Sequence, residues 1–313
     1  MIVAGIDEAG LGPALGPLCT AGAAFRLPAR ADAATPWEIY RGIIGREKKD
    51  RLPLVHDSKI VYTSRGLGGL ELPVLAFMRQ TRAAGGKIPP GRDALLKTLG
   101  AGIPEADCAP WTGEADWALP RDADAAAVDA LYQGIKAIPE ARLLAFSARV
   151  RTAKALNRDF ASGLNKSETA WRPVASLLRE FASLEPNQEE TLIVVDKQGG
   201  RNFYAGMLAE AFDCPLVATI KESADYSEYR IGNCRFVFQP RADRGAFPVA
   251  LASMLAKYLR ERFMEDLNRW FAREIPGLKP TAGYHGDAPR FYGQVKPVLQ
   301  KHKIGIGDFW RQR

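Results

Sequence analysis

The chain opens with Ile2-Val3-Ala4-Gly5-Ile6-Asp7-Glu8-Ala9-Gly10-Leu11-Gly12-Pro13. The apolar run reads as a buried strand, and it delivers two adjacent carboxylates into a glycine-rich turn. Such an arrangement is poor for stability and useful for metal chemistry. Successive strand side chains point to opposite faces, so Asp7 and Glu8 approach one site only if the strand ends there and the backbone bends. Gly10, Gly12 and Pro13 supply that bend and leave backbone N–H groups free to face a phosphate. A strand end with a solvated acidic turn is the plainer alternative, and residues further along the chain decide between the two.

At 313 residues, with no low-complexity tract, the chain has the length of one large domain or of a core domain with a sizeable insertion. It has no basic leader and no window long and apolar enough for a bilayer, so a cytoplasmic globular protein that meets no membrane is expected. Cys19, Cys108, Cys214 and Cys234 lack the paired spacing of a zinc site, and reduced, buried thiols are expected. A formal charge of +7 favours an anionic partner such as nucleic acid without requiring one.

Cys19 to Phe25, rich in small and apolar residues without a helical period, predicts a second strand paired antiparallel with the first. Residues 30–140 alternate polar helix-like pieces with Pro and Gly clusters, including Ala83-Ala84-Gly85-Gly86 and Pro110-Trp111-Thr112-Gly113, and Trp111 and Trp117 are expected to form a small satellite core. A strand is predicted at Arg142 to Arg151 and a helix at Ser167 to Phe181. A buried strand from Thr191 to Val195 ends at Asp196. Pro215 to Lys221 and Cys234 to Phe238 are strand candidates for a hairpin, separated by a polar segment. Pro248 to Phe271 predicts the longest helix, apolar along Ala252, Leu255, Leu259, Phe263 and Leu267. Strands mixed with helices in this order predict an α/β fold around a mixed central sheet.

Asp7, Glu8, Asp196 and Asp243 each sit at the edge of an apolar element. Mg²⁺ or Mn²⁺ requires oxygen ligands, and two ions roughly 4 Å apart activate a water and stabilise the leaving oxygen in phosphodiester hydrolysis. Singly, Asp196 also suits a turn or cap, and Asp243 suits the start of a helix.

Together these residues resemble a known family. Asp7-Glu8-Ala9-Gly10-Leu11-Gly12-Pro13 with Leu15-Gly16-Pro17, then Asp57-Ser58-Lys59, Val194-Val195-Asp196, Arg241-Ala242-Asp243, the helix Val249 to Lys257 and Gly283-Tyr284 are similar, in order, to the motifs of ribonuclease HII, the type 2 ribonuclease H family. Most of residues 85–140 has no counterpart. The resemblance implies a ribonuclease H-like α/β fold: a mixed five-stranded sheet flanked by helices. It implies one catalytic domain over 1–313, with an inserted segment at about 85–140 and a helical region at about 272–313. It further implies that Asp7, Glu8, Asp196 and Asp243 bind Mg²⁺ or Mn²⁺ and hydrolyse the RNA strand of RNA/DNA hybrids, or ribonucleotides embedded in duplex DNA, to a 5′-phosphate and a 3′-hydroxyl. Tyr284 would meet the sugar, whose 2′-hydroxyl separates RNA from DNA. A monomer is expected.

The chain departs from that pattern where the family's Gly-Arg-Gly turn is Gly10-Leu11-Gly12, which removes a guanidinium able to hold a phosphate bidentately. Backbone amides of Gly10, Leu11 and Gly12 still face the substrate in this reading. Lys197 or Arg201, around the Gly199-Gly200 turn, is expected to supply the missing contact, and Lys59 and Lys257 to approach the substrate backbone. His56 and His285 are candidates for proton transfer or loop filling. The basic C-terminal stretch, with Arg290, Lys296, Lys301, Lys303, Arg311 and Arg313 among Phe291, Tyr292, Phe309 and Trp310, is either a duplex-binding surface or a packed helix with a charged exterior. Alternatives to the hybrid nuclease are a nuclease of the same fold acting on DNA or structured nucleic acid, and a non-catalytic nucleic-acid-binding protein.

Overall fold

The computed structural model describes residues 1–113, 117–184, 190–198 and 201–312. In chain order its elements are β1 (Ile2–Ala9), β2 (Leu18–Arg26), α1 (Thr35–Ile39), α2 (Ser58–Met78), α3 (Arg92–Thr98), α4 (Pro110–Gly113), α5 (Ala125–Lys136), β3 (Arg142–Arg151), α6 (Ala153–Ala161) and α7 (Lys166–Ala182). They continue with β4 (Thr191–Asp196), α8 (Ala205–Phe212), β5 (Ala218–Glu222), β6 (Ser227–Ile231), β7 (Cys234–Gln239), α9 (Phe247–Glu274), α10 (Ala288–Lys301) and α11 (Ile306–Phe309). Among the described residues no helix is long and apolar enough to cross a membrane.

The strands form one mixed sheet in the order β3-β2-β1-β4-β7-β6-β5. β1–β2 and β2–β3 pair antiparallel, whereas β1–β4 and β4–β7 are parallel. Helices cover both faces, so the fold is of the expected α/β class with a mixed central sheet. Among the described residues the sheet has seven strands where five were expected. β6 accounts for part of the difference, because it lies inside the segment read as a polar separator. Its residues Ser227-Glu228-Tyr229-Arg230-Ile231 bury Ser227 and Tyr229 and turn charged groups outward, a half-exposed alternation that a search for apolar runs passes over. The hairpin is therefore β6–β7, with β5 beyond it at the edge, rather than a pairing of the Pro215 and Cys234 segments.

The period of two along β1 assigns its faces. Val3 packs into the cluster with α2 and α9, while Ile2, Ala4 and Ile6 pack with Trp171, Val174, Leu178 and Phe181 of α7. Gly5 falls on the α9 side, where the first turn of α9 lies against the strand backbone; a Cβ there would stand 2.2 Å from the Val249 nitrogen. On that same side Phe247 meets Phe25, Trp37 and Phe77 edge to face at 5.3–5.6 Å between ring centroids. Aromatic contacts of this kind add about 0.5–1.5 kcal/mol each beyond the area they bury.

Two smaller expectations change. Trp111 packs with Trp270, Phe271 and Phe309, whereas Trp117 sits on Phe263 and donates its indole N–H to Asp266 Oδ2 at 2.8 Å; the two do not form one core. Of the four cysteines, all free, Cys19 is buried, Cys214 and Cys234 are partly covered and Cys108 is exposed, since it follows a short 3₁₀ turn at the surface.

Candidate functional site: a carboxylate cleft at the strand ends

Parallel pairing aligns the ends of three strands. Ile6 of β1 lies opposite Val195 of β4, so Asp7 and Asp196 occupy the next position on each, and Asp196 lies opposite Gln239 of β7. Past β7 the chain reverses through Arg241, held at φ 56° and ψ 39°, into a 3₁₀ turn at Ala242–Arg244. The Ala242 N–H donates to Asp196 Oδ1 at 2.8 Å, which fastens that turn to the end of β4 and brings Asp243 beside Asp196. Asp57 caps α2 by accepting from the Lys59 N–H at 2.9 Å, and faces the same space. The cleft, of about 540 Å³, is lined by Asp7, Glu8, Asp57, Asp196 and Asp243, by the Gly10–Pro13 turn, and by Lys59, Arg241, Arg244, Lys257, Arg260 and Tyr284.

Asp7 and Glu8 remain in the β1–β2 ladder, opposite Ala21 and Thr20, and the bend begins at Gly10. They therefore leave the sheet on opposite faces. Asp7 is hydrogen-bonded by Ser253 of α9, whose hydroxyl also bonds Ser58 Oγ at 2.9 Å. Glu8 Oε2 accepts from Gln198 Nε2 at 2.8 Å on the α7 side. Sequence reading missed Asp57, Ser253 and Gln198 as site residues; Asp57 and Ser253 lay within quoted motifs, and Gln198 followed Asp196 without a pattern to mark it.

Burial and mutual repulsion dominate the electrostatics. Burial, then the charges of Asp196 and Glu8, raise the Asp7 carboxyl well above the usual range against the Ser253 hydrogen bond. Glu8 is pushed up to about 7 by burial, opposed by Gln198 and assisted by Asp196. Asp243 rises to about 6 through burial, then Asp57 and Asp196, with Arg244 and Lys59 pulling the other way. Asp196 is raised by burial against backbone hydrogen bonds from Ala242 and Arg241 and the charge of Lys59. A set of hard oxygen donors with excess negative charge matches Mg²⁺ or Mn²⁺ rather than a soft or nitrogen-seeking metal. Among the described residues no three His, Cys, Asp or Glu side chains meet closely enough to hold an ion unaided. Mg²⁺ ordinarily keeps waters and takes substrate phosphate oxygens alongside one or two carboxylates, so this donor set still fits it.

The turn is held from both sides. Gly10 has φ 97°, and a Cβ there would lie 2.6 Å from the Pro17 carbonyl oxygen, whereas Gly12 faces open space. Arg311, expected on an outer surface, is buried beneath the turn, where its guanidinium donates to the carbonyls of Gly10, Pro13 and Gly16. Phe291 and Phe309 are likewise buried, which favours the packed-helix alternative for this stretch; Arg313 lies outside the described residues. The Gly283 carbonyl accepts from Ala14 and Leu15 N–H groups, and this docking places half-exposed Tyr284 at the cleft, 5.4 Å from the buried Arg260 guanidinium. Leu11 packs against Leu18, Leu156 and Ala170.

Lys197 and Arg201 do not line the cleft. The Lys197 ammonium is engaged by the Ser223 and Ala224 carbonyls and Ser227 Oγ at 2.6–3.1 Å, and Arg201 donates to Ser167 Oγ at 2.5 Å. From these positions neither supplies the contact that Leu11 lacks, and Gly199-Gly200 between them lie outside the described residues. Lys257, inside the cleft, is paired with Glu261 at 2.7 Å. His56 and His285 are not among the lining residues.

Fold and site together define an α/β protein with a mixed central sheet and an acidic cleft at the strand ends. No protein-family model and no curated protein matches the chain. Among solved structures it is similar to ribonuclease HII of Archaeoglobus fulgidus in its complex with PCNA, at 18% identity over 100% of this chain and 95% of that one, with a TM-score of 0.46. It is similar to ribonuclease H2 of Pyrococcus horikoshii OT3 at 15% identity over 99% and 92%, TM-score 0.44. A third is Bst-RNase HIII in complex with Mn²⁺, at 13% identity over 100% and 66%, TM-score 0.44.

Proposed function

We propose that the chain is a metal-dependent endoribonuclease of the type 2 ribonuclease H kind, cutting the RNA strand of RNA/DNA hybrids or ribonucleotides embedded in duplex DNA to leave a 5′-phosphate and a 3′-hydroxyl. The observation that supports this reading is the meeting of Asp7, Glu8, Asp196 and Asp243, distant in sequence, in one cleft rimmed by Lys59, Arg241 and Arg244. Those four carboxylates would hold Mg²⁺ or Mn²⁺, which supply Lewis acidity to activate water and stabilise the leaving oxygen.

The chain's own groups do the remaining work. Ser253, itself bonded to Ser58, fixes the Asp7 carboxylate, and Gln198 fixes Glu8, so the donors are oriented before substrate arrives. Lys59, Arg241 and Arg244 are exposed at the rim and attract the phosphate backbone. The Gly10–Pro13 turn, braced by Arg311, presents backbone to the substrate strand, and Tyr284 beside it meets the sugar.

Cleavage of three matched duplexes, containing one ribonucleotide, a run of four or none, tests the reading. Cutting confined to the ribonucleotide-containing duplexes and dependent on Mg²⁺ or Mn²⁺ is expected. Equal cutting of the all-DNA duplex moves the assignment to a DNA nuclease of the same fold, and binding without cutting to a non-catalytic binder.

A further inference from the structure

A second cleft, of about 670 Å³, lies at the other end of the sheet and is lined by Arg79, Arg82, Tyr132, Lys136, Arg142 and the Gly85-Gly86 turn, among others. Arg142 pairs with Arg26, and Arg26 with Ile2, so it stands five residues from Asp7 along the strand direction, about 17 Å at 3.3 Å per residue. One wall is α5, within the segment 85–140, most of which has no counterpart in the resemblance and none of whose described residues lines the carboxylate cleft.

The frame of this cleft is fixed. Arg79 Nε donates to the Gly86 carbonyl at 2.8 Å, and its guanidinium lies 3.9 Å from the centre of the Tyr132 ring. Gly86 has φ 80°, and a Cβ there would stand 3.3 Å from the Tyr132 hydroxyl, so the turn closes tightly on the ring. Gln80 Oε1 accepts from the Leu143 N–H at 2.9 Å, tying the end of α2 to the start of β3.

The charge on that frame is one-sided. Among the described residues four cations line the cleft and no carboxylate does. Arg79 pairs with Asp129 at 3.0 Å, whereas Arg82, Lys136 and Arg142 are exposed and have no ion-pair partner among the described residues. Lys136 in the last turn of α5 and Arg79 just past α2 also complement helix C-termini, which is an ordinary use of a cation. That use does not extend to Arg82, in the turn, or Arg142, at a strand start. Like charges gathered in a concave, preformed site repel one another and concentrate anions.

We propose that this cleft is a second anion site, separate from the carboxylates, that takes a ligand carrying several phosphate groups. Arg82, Lys136 and Arg142 are its mobile contacts and Arg79 its fixed one. The phosphates come either from a free polyphosphate or nucleotide or from a nucleic-acid backbone passing beyond the carboxylate cleft.

The test compares the wild-type chain with Arg82→Ala/Lys136→Ala/Arg142→Ala and with a control of equal net charge, Arg41→Ala/Lys48→Ala/Lys97→Ala, whose sites are exposed and elsewhere. Tripolyphosphate and ATP binding are measured by calorimetry, and binding of a 30-base-pair duplex by fluorescence anisotropy over a salt series. A loss of at least tenfold in tripolyphosphate or ATP affinity in the cleft variant alone supports the site and assigns a free ligand. A salt slope shallower by roughly 2 to 3 in the cleft variant alone, with tripolyphosphate not bound, supports it and assigns a nucleic-acid backbone. Equal effects of both variants, or no effect of either, overturn it. Since binding rather than cleavage is read, the result is independent of the nuclease proposal.

Discussion

At the scale of the residue, the cleft places several carboxylates where burial and repulsion both oppose ionisation, and a bound cation relieves that cost. Asp196→Asn keeps an oxygen for the Ala242 N–H and removes one negative charge. The metal-free variant is therefore expected to melt at or slightly above the wild-type temperature, to lose the stabilisation that Mg²⁺ gives the wild type, and to lose at least a hundredfold in cleavage; calorimetric melting with and without Mg²⁺ checks the first two. A variant that melts well below wild type shows Asp196 acting as a structural cap instead. Lys59 and Lys197 separate binding from scaffolding in the same way. Lys59→Ala removes an exposed cation from the rim and is expected to flatten the salt dependence of duplex binding by about 1, with only a small loss of stability from the repulsion it leaves unscreened at Asp196 and Asp243. Lys197→Ala leaves three oxygen acceptors without their donor and is expected to cost about 1–3 kcal/mol in urea unfolding, with the salt dependence unchanged.

At the scale of the element, α9 is the beam on which much of the cleft depends, since Ser253, Lys257 and Arg260 all project from it. Its distance from the sheet is set by the missing side chain of Gly5, which lets the Pro248–Val249 backbone rest directly on β1. A methyl group at that point meets backbone rather than a flexible side-chain tip, so neither partner moves aside easily. Gly5→Ala is expected to lower stability by about 3 kcal/mol or more, at the upper end of ordinary overpacking, and to reduce cleavage through displacement of Ser253. Equilibrium denaturation paired with turnover measures both; wild-type stability would mean that α9 slides without strain. The long helix itself was legible because its apolar residues recur at helical spacing from Ala252 to Leu267, and β1, β2, β3 and β4 because each is a compact apolar run. α2 was not legible: it breaks at Gly66, carries Pro73 and has no sustained apolar stripe, and its burial comes from contacts with α5 and α9 that no local pattern announces.

At the scale of the whole molecule, the ends of the acidic strands could be read from the chain, but what surrounds them could not. Asp7 and Asp196 each ended an apolar run, which marks a strand end, and Asp243 preceded the long helix, whereas Arg311 reaches the Gly10–Gly16 turn from almost 300 residues away, a contact that only the folded topology creates. The same holds for the network that joins α2, the segment after α4 and α9. Glu71, fully buried, accepts from the N–H groups of Arg121, Asp122 and Ala123 at 2.6–3.0 Å, from the Tyr258 hydroxyl at 2.6 Å and from Arg262 at 3.1 Å. Burial opposes its charge, but the Tyr258 hydroxyl and the three backbone donors outweigh it and hold the carboxyl below its ordinary value. A carboxylate whose folded pKa is depressed contributes stability above its unfolded pKa and loses that contribution as the pH falls through the folded value. Stability tied to Glu71 is therefore expected to be complete at neutral pH and to fall away below about pH 4.5, the region of an unperturbed Glu. Glu71→Gln should cost about 1–3 kcal/mol at pH 7, because Arg262 loses its fully buried counter-charge while keeping Asp122 and Glu265, and should cost progressively less as the pH drops. Melting temperatures of the two proteins from pH 7 to pH 3 measure this convergence; curves that stay parallel would show that the network stabilises through shape and hydrogen bonds alone, with no contribution from the charge of Glu71.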